Sequence, residues 1–385
     1  MHSLPRRLLS AVTAVLAVAA VAVALPSRAY AADCKAEKRD DPMPQTPWTL
    51  ERLQPERLWP LTRGEGVTVA IIDSGVGKHP ILDDHITAYD YTDDGMGARC
   101  DLASHGTLVA GIIAGKDTED SPFHGVAPDV KLLSYRVIDN VESSTSRDAT
   151  VPVVDAIRDA VDAGADVINM SLTAIHTNAL QDAIDYAYDH DVVLVAAAGN
   201  SGAKSKREYP AAYDHVIAVA GIGPDGNHVE TSTIGDYVDV AAPGTEIDGP
   251  APSGGGYGRR EEGGTSFAAP FVSGTAALLR AYYPNAGPDE IARRITVTAD
   301  HPAGGWNEIV GYGELNPYRA LTTVLADEEE RDTVAPAAPI EPDDPGRATR
   351  QRALLITACA AALVVLFLCA KVVVPRGRAR RWKAS

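Results

Sequence analysis

Four residues of the chain have the side chains that acyl-transfer chemistry requires: Asp73, His105, Asn200 and Ser266. A serine hydroxyl is a weak nucleophile near neutral pH, so it needs a base beside it, and an imidazole base needs a carboxylate that orients it. An amide can donate a hydrogen bond to the oxyanion that forms during the reaction. Each residue alone also has a structural explanation, such as a turn, but together the four supply every part of a serine hydrolase site.

The stretch around Ser266 predicts how this hydroxyl is held. Gly263 and Gly264 permit a tight turn and a close backbone approach, and the apolar run at 271–279 predicts a buried helix after them. Ser266 therefore falls at a helix start, where unpaired N–H groups and the helix dipole favour negative charge. By itself the stretch favours a structural serine N-cap over a nucleophile. We expect Pro270 to lie in the first helical turn, where its missing N–H is not needed.

The rest of the central region alternates between strand-like and helix-like patterns. Mostly apolar runs predict buried strands at residues 67–72, 130–137, 167–170, 192–197 and 216–220. One-sided apolar patterns predict helices at residues 153–163 and 180–190. The alternation predicts an α/β fold in which helices cover both faces of a parallel β-sheet. Functional groups of such sheets lie at the carboxyl ends of the strands, which is where Asp73 and Asn200 occur.

Both ends of the chain carry membrane-targeting patterns. Two arginines precede an apolar run, and small residues end it, so residues 1–31 are interpreted as a signal peptide. The run is long enough for an uncleaved signal anchor to remain an alternative. Residues 353–374 predict one C-terminal transmembrane helix, and the basic tail at 375–385 is expected in the cytoplasm. The central region then lies outside the cell membrane.

Three further segments are predicted between these ends. Residues 32–49 form a short N-terminal arm, residues 50–325 one α/β domain, and residues 326–352 an acidic, proline-rich stalk. Cys34 and Cys100 are the only cysteines outside the predicted transmembrane helix. An oxidising exterior favours a disulfide between them, which would tether the arm just before His105.

The charge distribution argues against nucleic-acid binding. The formal net charge is −17, and ten of the positive charges lie in residues 1–31 and 352–385, which leaves −27 on residues 32–351. A body with this charge is repelled by phosphate backbones.

The strings that surround the four residues resemble a known family. Asp-Ser-Gly at 73–75, His-Gly-Thr at 105–107 and Gly-Thr-Ser-Phe-Ala-Ala-Pro at 264–270 follow the order of the subtilisin-like serine proteases. The similarity covers about residues 48–325. It implies a subtilisin-like fold and cleavage of peptide bonds through an acyl-enzyme.

The resemblance also implies a role for each residue of the constellation. Ser266 corresponds to the nucleophile, His105 to the general base, and Asp73 to the carboxylate that orients the imidazole. Asn200 and the Ser266 backbone N–H correspond to the oxyanion donors.

Substrate contacts implied by the resemblance lie in two segments. Ser171 and Leu172 look like the edge strand that pairs with a peptide, and Ala198 and Gly199 look like a wall of the primary specificity pocket. Thr173 departs from the glycine of many relatives, which puts a broad apolar preference in doubt. No cofactor is implied. Calcium stabilises many subtilases, but no oxygen-rich loop of this sequence identifies a calcium site.

The order of the segments resembles one group of subtilases more closely. A signal peptide, a cysteine-bearing arm, the lead-in at 59–66, a proline-rich stalk and a single C-terminal span look like the mycosins, membrane-anchored subtilases associated with type VII secretion. This likeness implies secreted proteins as substrates and the secretion membrane complex as partner. It also implies a cell-membrane protein with one span, an extracytoplasmic catalytic domain and a cytoplasmic tail.

Three alternatives compete with this interpretation. A subtilase-like scaffold without catalytic activity would stabilise a membrane assembly by contact alone. Esterases usually place the histidine after the serine, whereas His105 precedes Ser266. A metal site is disfavoured, because the histidines lack the spacing of paired ligands and the cysteines do not cluster.

Overall fold

The computed structural model of the chain describes residues 33–325 apart from 93, 140–146 and 203–206, together with residues 371 and 376. Two units divide the chain, one up to Thr323 and one from Val324 onwards, and every element named below lies in the first. The strands are β1 (Thr68–Asp73), β2 (Ile86–Asp90), β3 (Lys131–Arg136), β4 (Val167–Met170), β5 (Val193–Ala197), β6 (Val216–Ile222), β7 (Val240–Pro243), β8 (Ile247–Pro250) and β9 (Tyr257–Arg260). The helices are α1 (Trp48–Leu53), α2 (Gly106–Ala114), α3 (Arg147–Asp162), α4 (Asn178–Asp189), α5 (Thr265–Tyr282), α6 (Pro288–Val297) and α7 (Pro317–Thr322).

A seven-stranded parallel sheet forms the centre of the fold. Its strand order is β2-β3-β1-β4-β5-β6-β7, and β8 and β9 form a separate antiparallel pair. The five strands that the apolar runs predict are confirmed within one or two residues at each end. The others gave no such signal, because β2 and β9 are only partly buried and the short strands β7 and β8 each end in a proline.

Helices cover both faces of the sheet, as predicted. Successive side chains of a strand point to opposite faces. Val69 and Ile71 accordingly share a core cluster with residues of α2 and α5, while Ala70 and Ile72 share one with residues of α3 and α4. Helix α5 crosses β4 to β7 and packs against α2, with all residues from 265 to 280 buried.

The position of Pro270 differs from the prediction. Helix α5 begins at Thr265, so Pro270 lies in its second turn rather than its first. A proline there removes the N–H that would bind the carbonyl four residues earlier, which belongs to Ser266. The helix is continuous past this point, because tertiary packing holds it on all sides.

The predicted disulfide between Cys34 and Cys100 is present, with 5.6 Å between the two Cα atoms. Beyond it the arm lies against the β8–β9 turn, where the Arg39 N–H donates to the Ser253 carbonyl at 3.0 Å. Within the part of the chain that the structure describes, no helix is long and apolar enough to cross a membrane. The predicted signal peptide and stalk, and the predicted transmembrane helix apart from Lys371, lie outside the described residues.

Candidate active site

Asp73 and His105 meet at the carboxyl end of β1. Asp73 is the last residue of this strand, His105 directly precedes α2, and both are buried. The Nδ1 atom of His105 lies 2.7 Å from Oδ1 of Asp73, which also accepts from the Ser74 N–H at 2.7 Å. A Cβ on Gly106 would lie 2.1 Å from the Gly75 carbonyl oxygen. Only glycine therefore lets α2 approach the strand closely enough for this hydrogen bond.

The electrostatics of the pair favour a positive imidazole. Burial by itself lowers the pKa of His105, but the charge of Asp73 and its hydrogen bond outweigh burial, so the pKa of His105 lies above its ordinary value. The second ring nitrogen, Nε2, is buried and has no hydrogen-bond partner among the described residues. The ring thus has one oriented nitrogen and one nitrogen available for proton transfer.

Ser266 is the second residue of α5. The ring of the next residue, Phe267, packs against the imidazole of His105 with 4.9 Å between ring centroids. The first N–H groups of a helix have no partner within it, and the helix dipole is positive at that end. The hydroxyl of Ser266 therefore lies where a developing negative charge is stabilised.

Asn200 is held at the same helix start by its amide oxygen. Oδ1 accepts from the Thr265 N–H at 2.9 Å and from the Thr265 hydroxyl at 3.1 Å. A Cβ on Gly264 would lie 2.6 Å from this oxygen, and a Cβ on Gly263 would lie 1.7 Å from the Gly244 carbonyl oxygen. Both glycines are thus required by close approach. No described residue accepts from Asn200 Nδ2, so the donor end of the amide is uncommitted.

Most of the side chains of the four predicted substrate residues are engaged away from the site. Leu172 is buried in the core, and the Ser171 hydroxyl accepts from Asn169 Nδ2 at 2.9 Å. Ala198 is fully buried. The Gly199 N–H donates to the Thr265 hydroxyl at 3.1 Å. Any contact of Ser171, Leu172 or Ala198 with a substrate is therefore made by the backbone.

Sequence reasoning missed Asp101, which links the two loops of the Asp73–His105 pair. Its carboxylate is fully buried and accepts from the Ser74 hydroxyl at 2.8 Å and from the Thr107 N–H at 2.9 Å. Burial raises the pKa of Asp101, and the hydrogen bonds from Thr107 and Ser74 oppose the rise. Its place four residues before His105 was the available signal, but an acidic residue in a polar loop is unremarkable by itself.

Comparison with known proteins identifies the family. The model of the subtilase family matches residues 64–313, a range that includes Asp73, His105, Asn200 and Ser266. The chain belongs to the subtilase family. This subtilase is a serine protease, in keeping with the chemistry that its site suggests. Within the described residues, no group of histidine, cysteine, aspartate or glutamate side chains could hold a metal ion.

Several mycosins are similar to this subtilase over most of its length. Mycosin-4 of Mycobacterium tuberculosis (strain ATCC 25618 / H37Rv) is 37% identical over 354 residues, a match that covers 81% of this chain and 77% of the relative. The crystal structure of MycP1 from Mycobacterium smegmatis is 31% identical with a TM-score of 0.68, covering 77% of this chain and 91% of that chain. A chain in an intact ESX-5 inner membrane complex is 28% identical with a TM-score of 0.66, covering 90% and 94%.

Proposed function

We propose that this subtilase is an endopeptidase in which Asp73, His105 and Ser266 form the catalytic triad and Asn200 is an oxyanion donor. The observation that carries the proposal is the 2.7 Å hydrogen bond between Asp73 and the buried His105, whose other nitrogen is unpartnered among the described residues. A buried carboxylate–imidazole pair, with Ser266 at the start of the helix whose Phe267 packs against the imidazole, has the parts of a serine protease proton relay.

Each group has a defined step in the reaction. Ser266 Oγ attacks the carbonyl carbon of the scissile bond while its proton passes to His105 Nε2. Asn200 Nδ2 and the Ser266 N–H donate to the oxyanion of the tetrahedral intermediate. Collapse expels the amine, which takes the proton from His105 and leaves an acyl-enzyme. Water, deprotonated by His105, then releases the acid and restores the Ser266 hydroxyl. Asp73 stabilises the imidazolium in both halves of the reaction.

The proposal extends to the location of the enzyme. Residues 1–31 direct export, and the arm at 32–49 leads into the catalytic domain at 50–325. The stalk at 326–352 then joins this domain to residues 353–374, which anchor the chain in the cell membrane. The basic tail at 375–385 is cytoplasmic. A structurally similar chain belongs to an ESX-5 inner membrane complex, which supports a type VII secretion complex as partner and its secreted proteins as substrates.

Labelling with a fluorophosphonate tests the catalytic proposal, because this reagent reacts only with an activated serine. The full-length wild type in membranes should label at Ser266, and Ser266→Ala should not. Ser273→Ala is a matched control in the same helix: this hydroxyl donates to Asn169 at 2.9 Å and should not affect labelling. A wild-type protein that is folded, as judged by its melting temperature, and does not label would contradict the proposal.

A scaffold role in the secretion complex is a second candidate. The similarity to a chain of the ESX-5 inner membrane complex favours this role, because the structural alignment to that chain covers 90% of this chain. Ser266→Ala separates the two roles. If that variant loses peptide cleavage but supports secretion at the wild-type level, the scaffold contributes independently of catalysis.

A further inference from the structure

One acidic side chain lies between the two segments expected to bind substrate. The Ala174 N–H, which follows the segment 171–173, donates to the Tyr209 carbonyl at 2.6 Å, so this edge is joined directly to residues 208–210. The Tyr237 hydroxyl donates to the Ala198 carbonyl at 2.7 Å and accepts from the Glu208 N–H at 3.4 Å. Glu208 is thus linked through Tyr237 to Ala198, and its neighbour Tyr209 is bonded to the end of the segment 171–174.

The side chain of Glu208 packs directly on Gly199. A Cβ on Gly199 would lie 2.7 Å from Glu208 Cγ and 3.1 Å from Glu208 Cβ. Gly199 immediately precedes Asn200, and its N–H is bound to Thr265 at the start of α5. The stem of Glu208 therefore contacts the residue next to the proposed oxyanion donor.

The charge of Glu208 is not neutralised by any described residue. Among these residues no lysine, arginine or histidine nitrogen lies within ion-pair distance of its carboxylate, and the neighbouring Arg207 pairs with Asp236 at 3.0 Å. Glu208 is only half-buried, so the carboxylate retains access to solvent and to a ligand. Burial, with a further contribution from the charge of Glu208, raises the pKa of Tyr237 to about 12, so this hydroxyl stays neutral and does not add a second negative charge beside Glu208.

We propose that Glu208 forms the base of the primary specificity pocket and selects a lysine or arginine on the acyl side of the scissile bond. This inference rests on the proposed function, because it assumes that the peptide bond reaches Ser266. A long cationic side chain that enters between Ser171 and Gly199 can reach the carboxylate of Glu208 and form an ion pair with it. An apolar side chain would desolvate this carboxylate without providing a partner for its charge. Glu208 is a specificity residue and takes no part in bond breaking.

Peptides that differ only in the residue before the scissile bond test the proposal on the full-length protein in detergent. We expect arginine and lysine peptides to have a higher kcat/KM than leucine and phenylalanine peptides. Glu208→Gln keeps the shape of the side chain and removes its charge, so kcat/KM for the basic peptides should fall about 10- to 100-fold while that for the leucine peptide stays within about threefold. Glu208→Arg should reverse the preference towards a glutamate peptide.

Glu230→Gln is the matched control. It makes the same change of residue type and charge at an exposed site, so the ratio of kcat/KM values between basic and apolar peptides should not change. Fluorophosphonate labelling of Ser266 separates failure of this proposal from failure of the proposed function, since the reagent carries no side chain for the pocket.

Two outcomes would overturn the inference about Glu208. Normal labelling with a wild-type preference for leucine or phenylalanine would show that Glu208 does not select the substrate. Normal labelling with an unchanged preference in Glu208→Gln would show the same. Loss of labelling in the folded wild type would remove both the proposed function and the inference built on it.

Discussion

Replacing Asn200 by aspartate tests the role of the amide nitrogen separately from the role of the amide oxygen. The carboxylate of Asn200→Asp would keep an oxygen in the place of Oδ1, which accepts from the Thr265 N–H at 2.9 Å and from the Thr265 hydroxyl at 3.1 Å. The variant would lose Nδ2, the proposed oxyanion donor, and place a negative charge beside the developing oxyanion. Asn200→Ala would remove both ends together. The two variants therefore distinguish a catalytic role of the amide from a role in holding the start of α5.

The expected magnitudes differ between turnover and stability. Loss of one oxyanion donor in a subtilisin lowers kcat about 10²- to 10³-fold, or about 3 to 4 kcal/mol of transition-state stabilisation, and we expect the same range or more for Asn200→Asp. The stability of that variant should stay close to wild type, because a carboxylate at a helix start is favourable by about 0.3 to 1 kcal/mol. Asn200→Ala should lose a similar kcat and also about 1 kcal/mol of stability, since the Thr265 N–H loses its acceptor.

Steady-state kinetics on one peptide, with thermal unfolding of the same preparations, measures both quantities. Asn307→Asp is a matched control: its Oδ1 also accepts two backbone N–H groups, from Ile309 and Val310 at 2.9 Å each, in an exposed turn. It should retain wild-type kcat. A kcat of Asn200→Asp within about threefold of wild type would refute the oxyanion role. A stability loss as large as that of Asn200→Ala would refute the proposed orientation of the amide.

Two further predictions concern stability. The disulfide between Cys34 and Cys100 closes a loop with a sequence separation of 66, for which chain entropy gives a stabilisation of about 4 kcal/mol as an upper value. The double serine variant should therefore lose about 2 to 4 kcal/mol of unfolding free energy in chemical denaturation. A reducing agent should destabilise the wild type but not this variant. Burial raises the pKa of Asp239 to about 6, opposed by its hydrogen bond from Ala218. The folded state therefore binds a proton more tightly than the unfolded state, so this group contributes stability below about pH 4 that is lost as the pH rises through about 6. Asp239→Asn should flatten this dependence and raise the melting temperature at pH 7 to 8; an unchanged melting temperature at pH 7 to 8 would contradict it.

Local sequence patterns predict most, but not all, strands of the sheet. Strands β1, β3, β4, β5 and β6 are almost entirely buried, so their sequences are mostly apolar and identify them without any tertiary information. Strand β2 has an exposed outer part, and its mixed sequence follows from its position at the edge of the sheet. The expected place of Pro270 was wrong for a related reason: propensity favours proline in the first turn, but burial of α5 on all sides tolerates it in the second.

For the site, the sequence by itself determined the chemistry. The residue types of Asp73, His105, Asn200 and Ser266, their order, and the small residues beside them are local features, and they were sufficient to indicate acyl transfer. The pairing of Cys34 with Cys100 followed from their number and compartment.

Only the tertiary structure decided which groups touch. Asp101 holds the loops of Asp73 and His105 together, the oxygen rather than the nitrogen of the Asn200 amide faces Thr265, and Glu208 packs on Gly199. These contacts join residues that are brought together by the order of strands in the sheet. Periodicity records which face of an element is buried but not which element lies next to it, so such contacts have no signature in the sequence.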